Sequence, residues 1–195
     1  MNINKKKIAI FASGSGSNAE EIINYFKNDP EITVSLILTN NPKAGVIEKA
    51  DKAGVIIKIF SRKAFYETSE IVDLLKEANI DLIVLAGFLW LLPQNLIQDF
   101  PNRIINIHPA LLPKYGGKGM YGMNVHKAII EAKEKESGIT IHYINEKYDE
   151  GEIILQKKCL IADEDTAEDL VKKIQQLEHE YFPKVIEDIL KIKYD

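Results

Sequence analysis

Short apolar runs rich in β-branched residues recur along this chain, and amphipathic stretches separate most of them. That alternation constrains the fold more than any other feature. A strand, a helix and a second strand in succession pack as a parallel pair with the helix crossing over. The pattern predicts strands over 7–11, 32–38, 55–60, 80–86 and 103–107. Between them it predicts helices over 19–27, 44–53 and 63–78, and a short one opened by Pro93 and running to about residue 98. Gly54 stands where a helix over 44–53 needs a left-handed residue to stop. The run 80–86 is nearly all apolar, as befits a strand covered on both faces.

The later third reads differently. Ile139, Ile141 and Tyr143 alternate with Thr140 and His142, which predicts a strand over 138–144. A second run, 153–161, follows after a short loop, and strands joined this way are antiparallel neighbours. Thr166 then caps a long helix to about residue 190, with Glu168 and Asp169 suited to its first turn. The expected fold is α/β: a doubly wound, mostly parallel, Rossmann-like sheet with an antiparallel pair near the C-terminus and a long C-terminal helix. With 195 residues and no linker or repeat, one domain is expected over 1–195. Its half 1–100 would bind phosphate and ribonucleotide, and its half 101–195 would carry the chemistry.

Composition narrows the partners. A net charge of −4 with no basic stripe argues against nucleic acid. Lys5, Lys6 and Lys7 read as the solvated lead-in to a strand. No stretch approaches the roughly 18 apolar residues of a membrane span. The apolar part of the first segment, 8–12, is too short for the core of a signal peptide. The single cysteine, Cys159, has no partner for an intrachain disulfide and reads as a core thiol in a reducing cytoplasm. The four histidines lack metal-ligand spacing, so no metal is expected.

Three segments carry chemistry. Asn106 and His108 sit at i and i+2 before Pro109, so a strand there sends both side chains from one face at its carboxyl end, the edge where α/β sheets bind ligands. Asp149-Glu150-Gly151 is an acidic turn between two strands that could reach the same edge. A carboxylate near an imidazole favours the charged ring and orients it. Read alone, His108 is a hydrogen-bonded core histidine and Asp149 a turn former. The third segment, Ser13-Gly14-Ser15-Gly16-Ser17-Asn18, would aim free backbone N–H groups at an anion, or would simply be a tight strand-to-helix turn. It is neither a Walker motif nor a full dinucleotide fingerprint. Residues 114–122 hold four glycines in nine and read as a mobile loop, a lid or a plain connection. His126 and His142 read as structural or surface residues.

Asn106-Ile107-His108-Pro109-Ala110-Leu111-Leu112-Pro113, with Asp149 downstream, resembles the signature of the folate-dependent formyltransferases. Gly14-Ser15-Gly16-Ser17-Asn18, together with Glu178-His179, resembles the branch that formylates a glycinamide ribonucleotide from 10-formyltetrahydrofolate. The resemblance covers essentially the whole chain. It implies Asn106, His108 and Asp149 as the catalytic trio. It implies Gly16, Ser17 and Asn18 at the substrate phosphate, and Gln175, Gln176, Leu177 and Glu178 at the rest of the ribonucleotide. The folate would be held by Arg62, by Leu89, Trp90, Leu91 and Leu92, by Asn106, and by Asn145, Glu146, Lys147, Tyr148 and Asp149, largely through backbone groups. Trp90 stands where many members carry a smaller or basic side chain. The loop 116–123 is longer than in short bacterial forms, so no role passes to Lys118 or Tyr121. Small-molecule substrates, no nucleic acid, no membrane, and a monomer or homodimer are expected.

Three other readings compete. A formyltetrahydrofolate hydrolase normally carries an N-terminal regulatory domain, and none is expected where the first strand begins within ten residues. Formyltransferases acting on amino sugars or methionyl-tRNA usually carry a further C-terminal domain. A noncatalytic nucleotide-binding module would leave Asn106, His108 and Asp149 unexplained.

Overall fold

The computed structural model describes residues 5–147 and 149–191. In chain order the elements are β1 (Lys6–Phe11), α1 (Ser17–Phe26), β2 (Ile32–Thr39), α2 (Val46–Ala53), β3 (Ile56–Ile59), α3 (Arg62–Tyr66), α4 (Glu70–Glu77), β4 (Leu82–Leu85), α5 (Gln94–Asp99), β5 (Ile104–His108), α6 (Met123–Glu131), β6 (Glu136–Tyr143), β7 (Ile153–Leu160) and α7 (Ala167–Lys191). They form one sheet in the order β3-β2-β1-β4-β5-β6-β7. The first five strands pair in parallel, and β6 and β7 are antiparallel to their neighbours. The expected doubly wound sheet with its antiparallel pair is therefore present.

Strand parity explains the two cores. Ile8 and Ile10 face a layer built with α1, α2, α6 and α7, while Ala9 and Phe11 face a layer built with α3, α4 and α5. β4 splits the same way, Leu82 and Val84 against Ile83 and Leu85. On β5, Ile105 and Ile107 point into the first layer, so Asn106 and His108 lie on the opposite face with Ile104.

The chain runs outward from β1 through β2 to β3, then returns to place β4 on the other side of β1. That reversal opens a crevice beyond the carboxyl ends of β1 and β4. The two turns there are stitched together: Ser13 N–H donates to the Gly87 carbonyl at 3.0 Å, and Leu89 N–H donates to Ser13 Oγ at 3.2 Å.

The structure differs from the expectations at three points. The helix over 63–78 is two helices, α3 and α4, broken at Thr68 and Ser69. Thr68 Oγ1 donates to the Ala64 carbonyl at 3.0 Å and accepts Glu70 N–H at 3.3 Å, an alternative to the helical ladder that ends one helix and starts the next. The helix α6, between β5 and β6, has no counterpart in the sequence pattern. Cys159 is half-buried, packed against the first core layer rather than sealed within it.

Candidate active site

β5 ends at His108, and the chain then passes through Pro109 into a loop that curls back over it. His108 Nε2 lies 2.8 Å from the Tyr115 carbonyl oxygen, so this nitrogen carries the proton and donates. Its Nδ1 lies 3.6 Å from Asp149 Oδ2, close enough for strong attraction when the ring is charged. Asp149 is itself fixed by the same loop, since Gly117 N–H donates to Oδ2 at 2.9 Å. Both Tyr115 and Asp149 hold left-handed backbone, φ +55° and +54°, a conformation L-residues adopt at a cost. The His108 side chain is 5% exposed and that of Asp149 13%.

Asn106 is half-buried, and the antiparallel register sets it opposite His142. His142 is fully buried. Its Nδ1 lies 2.9 Å from the Tyr143 carbonyl oxygen, which makes Nδ1 the protonated nitrogen and Nε2 an acceptor. Asn106 Nδ2 then donates to Nε2 at 3.1 Å. Burial is the main influence on His142 and lowers its pKa, which keeps the ring neutral and able to accept. Among the described residues the second N–H of the Asn106 amide has no partner. His142 Nε2 also sits 3.7 Å from Asp149 Oδ1, so four side chains from β5, β6 and the following loop gather at one point. From sequence alone His142 reads as a structural or surface residue. Its alternation with Ile139 and Ile141 gave the right face, but only the β5–β6 register reveals what it meets.

A cavity of about 460 Å³ opens beside this cluster. Its wall includes Ser15 and Asn18 from the first turn and helix, Asn106 and His108 from β5, and Gln175 and Glu178 from α7, so both halves of the chain contribute. Gly16 N-caps α1 with φ +74° and offers no side-chain cap, which leaves the first N–H groups of the helix uncapped. Asn18 Nδ2 donates to Glu178 Oε2 at 2.9 Å, while Asn18 Oδ1 is buried and has no partner among the described residues. Burial pushes the Glu178 carboxyl up to about 7, against a smaller lowering by the Asn18 hydrogen bond. Gly16, Ser17, Gln176 and Leu177 are outside this lining, and Leu177 packs against the first core layer instead.

A smaller cavity of about 70 Å³ adjoins it, lined by Leu89, Trp90, Leu91, Leu92, Asn145 and Lys147 among others. The two cavities share Phe88, Leu89, Asn106 and Asp149. Leu89 and Leu91 leave 50% and 36% of their surface exposed there. Arg62 lies outside both linings and stacks over Tyr66 and Trp90, its guanidinium carbon 4.8 Å and 5.5 Å from the ring centres. Glu146 is exposed and accepts from Gln94 Nε2 at 3.1 Å. Tyr148 lies outside the described residues. His126, read as structural or surface, is buried on α6 and lines the larger cavity. Among the described residues no group of three or more His, Cys, Asp or Glu could hold a metal ion, and no helix is long and apolar enough to cross a membrane.

An amide donor, an imidazole and a carboxylate around one opening can stabilise a developing oxyanion and move a proton. Residues 6–186 match the family described as formyl transferase. The chain is 42% identical over 190 residues to the chloroplastic phosphoribosylglycinamide formyltransferase of Arabidopsis thaliana, covering 93% of this chain and 64% of that protein. It is 37% identical over 191 residues to the phosphoribosylglycinamide formyltransferase of Bacillus subtilis, covering 95% of each. The crystal structure of phosphoribosylglycinamide formyltransferase from Bacillus halodurans superposes with a TM-score of 0.86 at 38% identity, over 96% of both chains.

Proposed function

Because the chain belongs to the formyl transferase family, we propose that it transfers the formyl group of 10-formyltetrahydrofolate to the amine of 5′-phosphoribosylglycinamide. The product is the formylglycinamide ribonucleotide of purine synthesis. One observation carries this reading: Asn106 and Asp149 belong to the wall that the two cavities share, with His108 beside them in the larger. Two substrates seated one in each cavity would meet there.

The larger cavity suits the ribonucleotide. The uncapped start of α1 supports an anion site, and the unpartnered Asn18 Oδ1 beside Glu178 supports hydroxyl recognition. The smaller cavity suits a flat, partly apolar ring. The exposed faces of Leu89 and Leu91 would cover such a ring, and backbone groups of 89–92 and 145–147 would bond its edge. Arg62, stacked on Tyr66 and Trp90, would meet the folate's acidic tail further out. Gly16 and Ser17 would act through backbone N–H groups. The soluble substrates and the free Cys159 support a cytoplasmic setting.

In the reaction the substrate amine attacks the formyl carbon and negative charge grows on the formyl oxygen. The free N–H of Asn106 and a protonated His108 stabilise that charge. The C–N10 bond breaks as N10 takes up a proton, and the attacking nitrogen gives one up. Asp149, facing His108 Nδ1, holds the imidazolium by attraction and relays the proton between the two nitrogens, through water where needed. Each of Asn106→Ala, His108→Ala and Asp149→Asn is expected to lower kcat about 10²- to 10³-fold, with melting temperature little changed. The measurement is absorbance loss of the formyl-folate with and without the ribonucleotide. Turnover that depends on the amine supports transfer. Turnover without it would make the protein a hydrolase, and near-normal kcat in His108→Ala would end this mechanism.

A further inference from the structure

A phosphate ester entering the larger cavity brings negative charge into a space already walled by Asp149. Charge of that kind needs a cation or several donors nearby. Among the described residues the lining contains no arginine and one lysine, Lys118. It is exposed, and among the described residues nothing pairs with it. Lys114, four residues earlier on the same loop, is committed to Glu134 at 3.0 Å. Lys118 also follows directly on Gly117, whose N–H is held by Asp149 Oδ2, so its root is anchored beside the reacting groups. Gly117 and Gly119, which flank it, both adopt φ +90°, a conformation that side-chain-bearing residues rarely take. The backbone here is shaped by glycine on both sides of one unpaired ammonium.

We propose that Lys118 is a binding residue for the substrate's phosphate, reaching it from the glycine loop while backbone N–H groups of the first turn hold it from the sheet side. This rests on the reading of the larger cavity as the ribonucleotide site. The acidic tail of the folate is a less suitable target, because the smaller cavity does not include Lys118 and the tail would meet Arg62 beyond it.

The test compares wild type with Lys118→Ala and Lys118→Arg on the ribonucleotide and on its phosphate-free riboside. Lys118→Ala is expected to raise the KM for the ribonucleotide roughly ten-fold at low salt, with kcat nearly unchanged. Lys118→Arg should recover most of that loss, the riboside should show no such penalty, and added salt should shrink the difference. Calorimetry with ribose 5-phosphate and with ribose gives a readout independent of turnover, and only the phosphate ester should lose affinity in Lys118→Ala. Equal losses for both substrates, an unchanged ribonucleotide KM, or a change confined to the folate KM would overturn the proposal while leaving formyl transfer intact. Absence of amine-dependent turnover in wild type would instead defeat the functional reading. Ribose 5-phosphate binding that depends on Lys118 would then still support the phosphate site, and binding indifferent to it would refute the site as well.

Discussion

Glu178 shows how one buried side chain ties binding to stability. It is a carboxyl inside the protein, and among the described residues its hydrogen-bond donor is Asn18 Nδ2. Burial raises its pKa from 4.5 to about 7, so the folded state keeps a proton that the unfolded chain gives up. Stability from this group is therefore whole below pH 4.5, falls as pH rises toward 7, and stays lost above it. The loss amounts to something on the order of 3 kcal/mol. Glu178→Gln removes the titration. Urea melts of the two proteins at pH 4.5, 6 and 8 should show the variant gaining on wild type as pH rises. A difference independent of pH would mean that Glu178 titrates as an ordinary carboxyl. The unmet Asn18 Oδ1 beside it is a second cost that a bound hydroxyl would relieve.

At the scale of elements, the join between β1 and α1 depends on a glycine. Gly16 has φ +74°, and a methyl group there would sit 2.6 Å from Val46 Cβ, at the start of α2. Gly16→Ala should cost about 2–4 kcal/mol, from left-handed backbone and overpacking together. Chemical denaturation measures this directly, and a cost below about 0.5 kcal/mol would show that α2 shifts freely. The same scale explains what could be read in advance. The parity of Asn106 and His108 was legible because a strand alternates strictly, and Gly54 marked the end of α2 because few residues tolerate its φ of +71°. The break at Thr68 and Ser69 was written in capping residues but hidden by apolar spacing that continues across it. α6 is short and follows the four glycines of 114–122, so Val125 and Ile129 gave too brief a period to stand out. His142 escaped because its meaning depends on a partner strand, and pairing register is not a local property.

The whole molecule is one sheet with a core layer on each face. Leu75 on α4 lies in one layer and Ile186 on α7 in the other, both fully buried. Leu75→Ala should cost about 2–5 kcal/mol and Ile186→Val about 0.5–1.5 kcal/mol. With the sheet between them the two share no contacts, so their costs in the double variant should add to within about 0.5 kcal/mol in a single urea transition. Two separate transitions would mean that the layers fold as independent units. The sheet also sets where the loops meet, because β1, β4 and β5 all end at the same edge as the crevice.

His108 and Asp149 are steered by peptide groups, the carbonyl of Tyr115 and the N–H of Gly117, rather than by side chains of that loop. Exposed side chains of that loop such as Lys114 can thus change without disturbing the reaction, whereas Gly116 and Gly117 cannot. Adding or deleting a single link between Pro113 and Lys118 cannot be so innocent, since it would re-aim an acid and a base at once while leaving both of them in place.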